Sequence, residues 1–340
     1  MKTLVLAEPE RFELIDTPEP EAPGAGQALV RVRRIGVCGT DLHAFRGRQP
    51  FFDYPRILGH ELGVEIVALG PDCGEHLAVG MRCAVEPYMN CGECHACQRG
   101  ITNACEKLKV LGVHSDGGHR ELIVVPANKL HPSASLSLEQ LALVETLAIG
   151  AHAVRRAQIQ PQEWVLVIGA GPIGLTVMQF AQIAQANVIV LDVDAPRLAF
   201  CQQHLGIEHT VQLGDNSIEQ IRAIAGGNLP TIVFDATGNP ASMQNAFNYL
   251  AHAGKLVYVG LFKGDVTFHD PDFHRREHMI IASRNATTGD MQFVMQQIEA
   301  GRINTDPWIT HRASLAEAAG QFASWTDRAT GVIKAVIELD

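Results

Sequence analysis

The sequence predicts an α/β protein of two domains: a doubly wound parallel sheet in the middle of the chain and a mostly-β domain before it. Three observations lead there. Residues Trp164 to Leu175 read WVLVIGAGPIGL, a continuously apolar run that meets three glycines at once in the spacing GxGxxG. A helical run follows, Thr176 to Gln185, and then a second apolar strand, NVIVLD, which ends on Asp192. From Lys2 to Leu69, short apolar runs (LVL, FELI, ALVRVRRIGV, GVEIVALG) alternate with Pro and Gly clusters, the pattern of short strands in a barrel-like domain.

Length and composition narrow the class. At 340 residues the chain is long for a single core, and two domains follow naturally. The formal net charge of −10 has no basic block within it, which argues against a nucleic-acid surface or an anionic membrane as partner. No apolar run approaches the roughly 20 residues of a membrane span, and MKTLVLAEPE turns acidic before a secretory core could form. A cytoplasmic location is expected. Eight cysteines then need a reason. In a reducing compartment they serve more often as metal ligands or buried thiols than as disulfides.

Two short motifs in the β domain carry chemistry. Cys38-Gly39-Thr40-Asp41-Leu42-His43 follows a strand, and Gly59-His60-Glu61 precedes the strand Val64 to Leu69. Either motif alone reads as structural. Together, beside a dinucleotide site, a thiolate and an imidazole some twenty residues apart fit half of a catalytic zinc site, in which three protein ligands leave one position open.

Cys91, Cys94, Cys97 and Cys105 come next, spaced CxxCxxCx7C. Four thiolates can close a tetrahedron around a structural zinc. An iron–sulfur cluster fits the trailing interval poorly, and a redox pair would need only two cysteines. Cys73, Cys83 and Cys201 remain as ordinary buried thiols. Lys109 to Asp116 reads as a strand and loop, and Glu121 to Val125 as another strand. Ser137, with Gln140 three residues on, opens a helix by the capping-box rule. Glu145 lies on its apolar stretch, LALVETLAIGAHAV. A carboxylate among leucines is costly unless paired or metal-bound, so it pairs with Arg155 or Arg156 or else supplies the third zinc ligand.

In the glycine-rich turn, Gly169 allows the tight bend, Gly171 lets backbone approach a pyrophosphate, and Gly174 lets the next helix pack on the strand. The helix amino terminus then faces the anion. Asp192, 18 residues past Gly174, would accept a bond from the ribose 2′-hydroxyl and repel a 2′-phosphate, which favours NAD over NADP. Ala195 to Leu205 reads as a helix whose Arg197 would lie over the adenine ribose. TIVFDATG (Thr231 to Gly238) and KLVYVG (Lys255 to Gly260) are further strands that end at the ligand edge of the sheet. Met291 to Ala300 and Ser314 to Trp325 read as helices, and VIKAVIEL as a closing strand.

With CGTDLH, GHE, the four-cysteine lobe, the glutamate helix and GAGPIGL in that order, the chain resembles the zinc-dependent medium-chain dehydrogenases over nearly its whole length. GRQPFFDYPRILGHE, LGVHSDGG, AHAVRRA, GLFKG, DPDFHRRE and SRNAT bring it nearest the sugar and polyol branch, among enzymes of L-galactonate-like sugar acids. The resemblance implies a GroES-like catalytic domain over residues 1–150, to which the chain returns at 287–340, and a Rossmann domain over 151–286. It implies Cys38, His60 and Glu145 as catalytic zinc ligands, with Glu61 either behind them or as an exchanging fourth ligand. Asp41 would orient His60, while Thr40 and His43 match a proton relay that runs through the nicotinamide ribose. Gly169, Gly171, Pro172, Ile173, Gly174, Asp192, Arg197, Thr237, Gly260, Leu261 and Lys334 would hold NAD, Lys334 reaching the pyrophosphate. His114, Arg284 and Asn285, with Arg46 and Arg48 nearby, would meet a polar or anionic substrate. Two zinc ions per chain and a homodimer or homotetramer are implied as well. Thr146 departs from the family's usual proline, and HREL (His119 to Leu122) stands where an aromatic pair is common. The expected reaction is NAD-dependent oxidation of a secondary hydroxyl to the ketone. Its rivals are a simple alcohol or polyol dehydrogenase, a zinc-free NADPH reductase, and a non-catalytic NADH sensor.

Overall fold

The computed structural model describes residues 1–49 and 52–340; Pro50 and Phe51, in the Gly47 to Glu61 stretch, lie outside the described residues. The chain divides into two compact units, Met1–Glu145 with Thr287–Asp340, and Thr146–Ala286. The divide falls inside the helix Leu138–Ala157, where residue 150 had been expected.

In the first unit a mixed sheet is centred on Gln27–Gly36, which pairs with Glu61–Leu69 on one side and Lys334–Glu338 on the other. Alternation explains this strand. Ala28, Val30 and Val32 are buried while Arg31 and Arg33 lie on the other face, as a half-buried pleated strand requires. Arg82–Val85 and Leu130–Pro132 extend one edge of the sheet, and Ile309–Ser314 closes the opposite edge.

Ser314 and Glu317 form a capping box on the helix Leu315–Trp325. That helix buries Ala318, Phe322 and Trp325. Phe322 is fully buried and by area alone contributes about 3 kcal/mol. Its ring meets Phe12 at 4.6 Å, Phe45 at 5.7 Å and His119 at 5.9 Å between centroids. His119 therefore does the work of an aromatic side chain. It is wholly buried, and neither ring nitrogen has a hydrogen-bond partner among the described residues.

The second unit is a six-stranded sheet with every pair parallel, in the spatial order His209–Gln212, Asn187–Asp192, Trp164–Ile168, Ile232–Asp235, Lys255–Tyr258, Met279–Ala282. Strand order therefore reverses between Trp164–Ile168 and Ile232–Asp235, where doubly wound sheets open a ligand crevice. Val165, Leu166 and Val167 are fully buried, as a strand covered on both faces demands. The helix after the glycines runs Pro172–Ile183, starting earlier than its apolar pattern suggested, because Pro172 sits at the first turn and Gly171 caps it.

Two of the three leftover thiols behave as expected. Burial pushes Cys83 and Cys201 each up to about 12. Cys73 is a correction: it is only half-buried, with its Sγ 3.1 Å from the Gln27 carbonyl. Among the described residues no helix is long and apolar enough to cross a membrane.

Burial, reinforced by the charge of His60, lowers the His119 pKa to about 3. Below pH ~6.5 the unfolded chain takes up a proton that the folded chain refuses. Stability should therefore fall with pH across that window, by up to about 1.4 kcal/mol per unit. His119→Phe should flatten this acid limb by one proton's worth, read from urea midpoints at pH 5 and pH 7; an unchanged limb would contradict the assignment.

Candidate active site

Antiparallel pairing builds the first site. Gly36 is opposite Glu61, so Cys38, just past the end of one strand, meets His60, just before the start of the other. Ligand atoms of Cys38, His60 and Glu61 all lie within 4.8 Å of one another. Ligands of a tetrahedral zinc stand roughly 3.3–3.8 Å apart, given bonds of about 2.0–2.3 Å. A thiol, an imidazole and a carboxylate at this spacing fit that ion.

The surroundings favour a cation. Cys38 caps the helix Gly39–Phe45, and Asp41 Oδ2 accepts its N–H at 2.9 Å. The other Asp41 oxygen lies 3.6 Å from His60 Nδ1, and both atoms are buried with no hydrogen bond among the described residues. Nδ1 is thus turned to a carboxylate, leaving the second ring nitrogen for the thiol side. Burial opposes charge on His60, yet Asp41 and Cys38 outweigh it and hold the pKa well above its ordinary value.

Lys334 corrects the sequence reading. It was expected at the cofactor pyrophosphate; instead its ammonium is 1% exposed and meets both Glu61 oxygens at 2.8 Å and the Val37 carbonyl at 3.2 Å. The reason is register, since Lys334–Glu338 is hydrogen-bonded to Gln27–Gly36, next to Glu61. Gly36 is needed here too, because a Cβ on it would lie 2.0 Å from Glu61 Oε2.

Glu145 is buried and lies outside the 4.8 Å set. Burial raises its pKa, opposed by the charge of His60, so it shares the field of the cluster. Its hydrogen-bond donor is the phenol of Tyr88 rather than Arg155 or Arg156. Thr40 and His43 sit three residues apart on the Gly39–Phe45 helix, on neighbouring positions of one face. Partial desolvation, with Arg48 nearby, lowers the His43 pKa.

The four lobe cysteines also lie within 4.8 Å of one another. Cys91 and Cys105 sulfurs are 3.5 Å apart, and the Cys91 and Cys94 amides point at sulfur at 3.3 and 3.4 Å. Backbone amides, that of Cys97 foremost, pull the Cys94 thiol down to about 6, while burial pushes Cys97 up to about 11.

In the second unit the glycine turn fits a dinucleotide. Gly169 has φ +100°, and a Cβ on Gly174 would lie 1.7 Å from the Gly169 carbonyl oxygen. Pro172 and Ile173 open the helix, whose first amides have no intrahelical partner. Arg197 Nη1 is 3.4 Å from a Cβ built on Gly171, so it lies over the turn. The Asp192 carboxylate accepts the Ala170 amide at 2.5 Å and the Asp194 amide at 2.9 Å, which joins the turn to the end of the second strand. Thr237 is held by Asp235 at 2.7 and 2.9 Å, and Gly260 packs against Gly238, beside Leu261.

Among the substrate candidates, Arg284 is exposed, and Asn285 has φ +53° with a buried Nδ2 that lacks a partner among the described residues. Ser283 Oγ, from the same Ser283-Arg284-Asn285 stretch, is in the same state. His114 accepts the Val110 amide at 3.0 Å, which closes its own turn. Arg46 is spent at the surface on Glu10 and Thr326. Tyr88 was missed altogether, for nothing local marks a tyrosine as the partner of a glutamate 57 residues away.

These two sites define a zinc-dependent oxidoreductase that uses a nicotinamide dinucleotide, and the chain belongs to the zinc-binding alcohol dehydrogenase family. Residues 24–135 match the alcohol dehydrogenase GroES-like domain and residues 172–300 the zinc-binding dehydrogenase domain. The chain is 43% identical to L-galactonate-5-dehydrogenase of Escherichia coli K12, over 99% of this chain and 98% of that protein. It is 28% identical to 2-dehydro-3-deoxy-L-galactonate 5-dehydrogenase of Pseudoalteromonas atlantica, over 93% of each. The RspB alcohol dehydrogenase of Escherichia coli CFT073, solved with NADH, superposes with a TM-score of 0.91 at 30% identity, over 100% and 99% of the two chains.

Gly174→Ala should weaken NADH binding by more than about 10-fold, because the methyl group must displace the turn, while zinc content stays at the wild-type value. Fluorescence titration with NADH checks it, and wild-type affinity would refute it.

Proposed function

We propose that this chain oxidises a secondary hydroxyl of a sugar acid of the L-galactonate type to the ketone, with NAD as oxidant. One observation carries the chemistry: Cys38, His60 and Glu61 converge, with the buried Glu145 within electrostatic reach of His60, in a pocket whose charges favour a cation. In this reading Cys38, His60 and Glu145 hold a catalytic zinc, and Cys91, Cys94, Cys97 and Cys105 hold a structural one. Zinc supplies Lewis acidity, which lowers the pKa of an alcohol. NAD supplies the hydride acceptor and is held by the turn from Gly169 to Gly174, by Asp192 and Arg197, and by Thr237, Gly260 and Leu261.

The chain's own groups do the rest. Thr40 accepts the hydroxyl proton and passes it outward toward His43, whose lowered pKa keeps it a neutral base at pH 7. Lys334 offsets the charge of Glu61, so that two carboxylates can stand near one metal. In the second unit, Ser283 and Asn285 supply polar contacts for the far end of the substrate, supported by their buried atoms without partners among the described residues and by the 43% identity to a sugar-acid dehydrogenase. The thiol-rich lobe suits the reducing cytoplasm.

Cys38→Ser should lower turnover by more than about 100-fold, in line with what metal-site changes cost, and leave NADH binding intact. A panel of aldonates, polyols and simple secondary alcohols, run with NAD and with NADP, should give the highest kcat/KM for an aldonate with NAD. Retained turnover in the variant sinks the metal role, and a simple alcohol as best substrate sinks the substrate class. The edge strand Met279–Ala282 exposes Met279 (53%) and Ile280 (37%), an unpaired apolar edge of the kind that pairs with a second copy. Sedimentation should show a dimer or tetramer; a species of 36.9 kDa alone would count against it.

A further inference from the structure

Each donor of the metal cluster has a buried neighbour that holds it. Asp41 faces His60 and binds the Cys38 amide, and Lys334 grips both oxygens of Glu61. Glu145 has Tyr88. The phenol, 2% exposed, donates to Glu145 Oε1, which leaves the second carboxylate oxygen with its full accepting capacity toward a metal. Both Glu61 oxygens meet a buried ammonium in an ion pair that is costly to break. Among the described residues, Glu145 has one side-chain donor, the neutral Tyr88 phenol on one oxygen.

The tyrosine is itself clamped on both sides along the stretch Glu86-Pro87-Tyr88-Met89-Asn90. Glu86 accepts bonds from Lys129, His131 at 3.3 Å and Thr288 at 2.8 Å. Asn90 accepts from Lys129 at 2.9 Å and points its Nδ2 at Cys97 Sγ, 3.8 Å away. Between them Tyr88–Met89 pairs with Lys109–Val110. The phenol is thus delivered from a backbone anchored at every second residue.

We infer that Tyr88 is a positioning residue for the catalytic metal: its hydroxyl fixes the Glu145 carboxylate so that one oxygen, and only one, is presented beside Cys38 and His60. The inference rests on the reading of Cys38, His60 and Glu145 as ligands. Tyr88→Phe removes the hydroxyl and keeps the ring. The lobe zinc should stay in place, while the second zinc should leave to a chelator about 10- to 100-fold faster, the usual effect of losing a group that orients a ligand. Protein reconstituted with cobalt should show a shifted visible band, and kcat should drop with KM for NAD unchanged. A folded variant with wild-type zinc release and wild-type cobalt spectrum overturns the inference alone. A wild-type chain that holds one zinc overturns the ligand reading, and this inference with it. Should Tyr88→Phe fail to fold, wild-type protein labelled with 3-fluorotyrosine decides the matter. Its Tyr88 fluorine signal, assigned by Phe substitution at Tyr54, Tyr249 and Tyr258, should move when the second zinc is withdrawn, and an unmoved signal overturns the role.

Discussion

The pairing of Gly36 with Glu61 is the constraint on which the metal site depends. A slip of one residue would turn every side chain of Glu61–Leu69 to the other face. Cys38 and His60 would then part, and Glu61 would lose the ammonium of Lys334. The register is pinned by the pattern of its own strands, since Val30, Val32, Ile35, Leu62, Val64 and Ile66 are all buried. Burial of apolar side chains therefore sets the geometry of polar ones.

Around that register the site is built from buried charges that would be unfavourable singly. Asp41, Glu61, Glu145 and Lys334 are each 5% exposed or less. Lys334 repays part of the desolvation of Glu61 through two bonds at 2.8 Å. The others face His60 or a cation in its place. Such a cluster contributes less to stability than an apolar core of the same volume, and its arrangement is that of a place where a metal completes the coordination. The neighbouring lobe uses the opposite device: exposed loop, four sulfurs, and amides aimed at them.

Legibility followed the range of the interactions. Trp164–Ile168 and Asn187–Asp192 were read with their observed bounds, because a short apolar strand next to a glycine turn is a local signal. The Ser137 cap was equally local and is present, with Gln140 bonded back to it at 2.9 Å. Lys334 was misplaced because a lysine near a chain end carries no mark of burial; only its strand's place beside Gln27–Gly36 turns it toward Glu61. The HREL stretch was noted as a departure, and packing against Phe12 and Phe322 makes its His119 an aromatic substitute.

By itself the sequence determined which chemistries were available: thiolates at metal spacing, an imidazole beside a glutamate, a phosphate turn closed by an acid. These depend on residue type and short intervals, which survive in one dimension. Asp41 beside His60 was implied by the resemblance, whereas tertiary structure alone decided the other supports, Lys334 for Glu61 and Tyr88 for Glu145. A buried charge takes its partner from whichever strand the core brings alongside, and that choice is made by packing over separations of up to 273 residues.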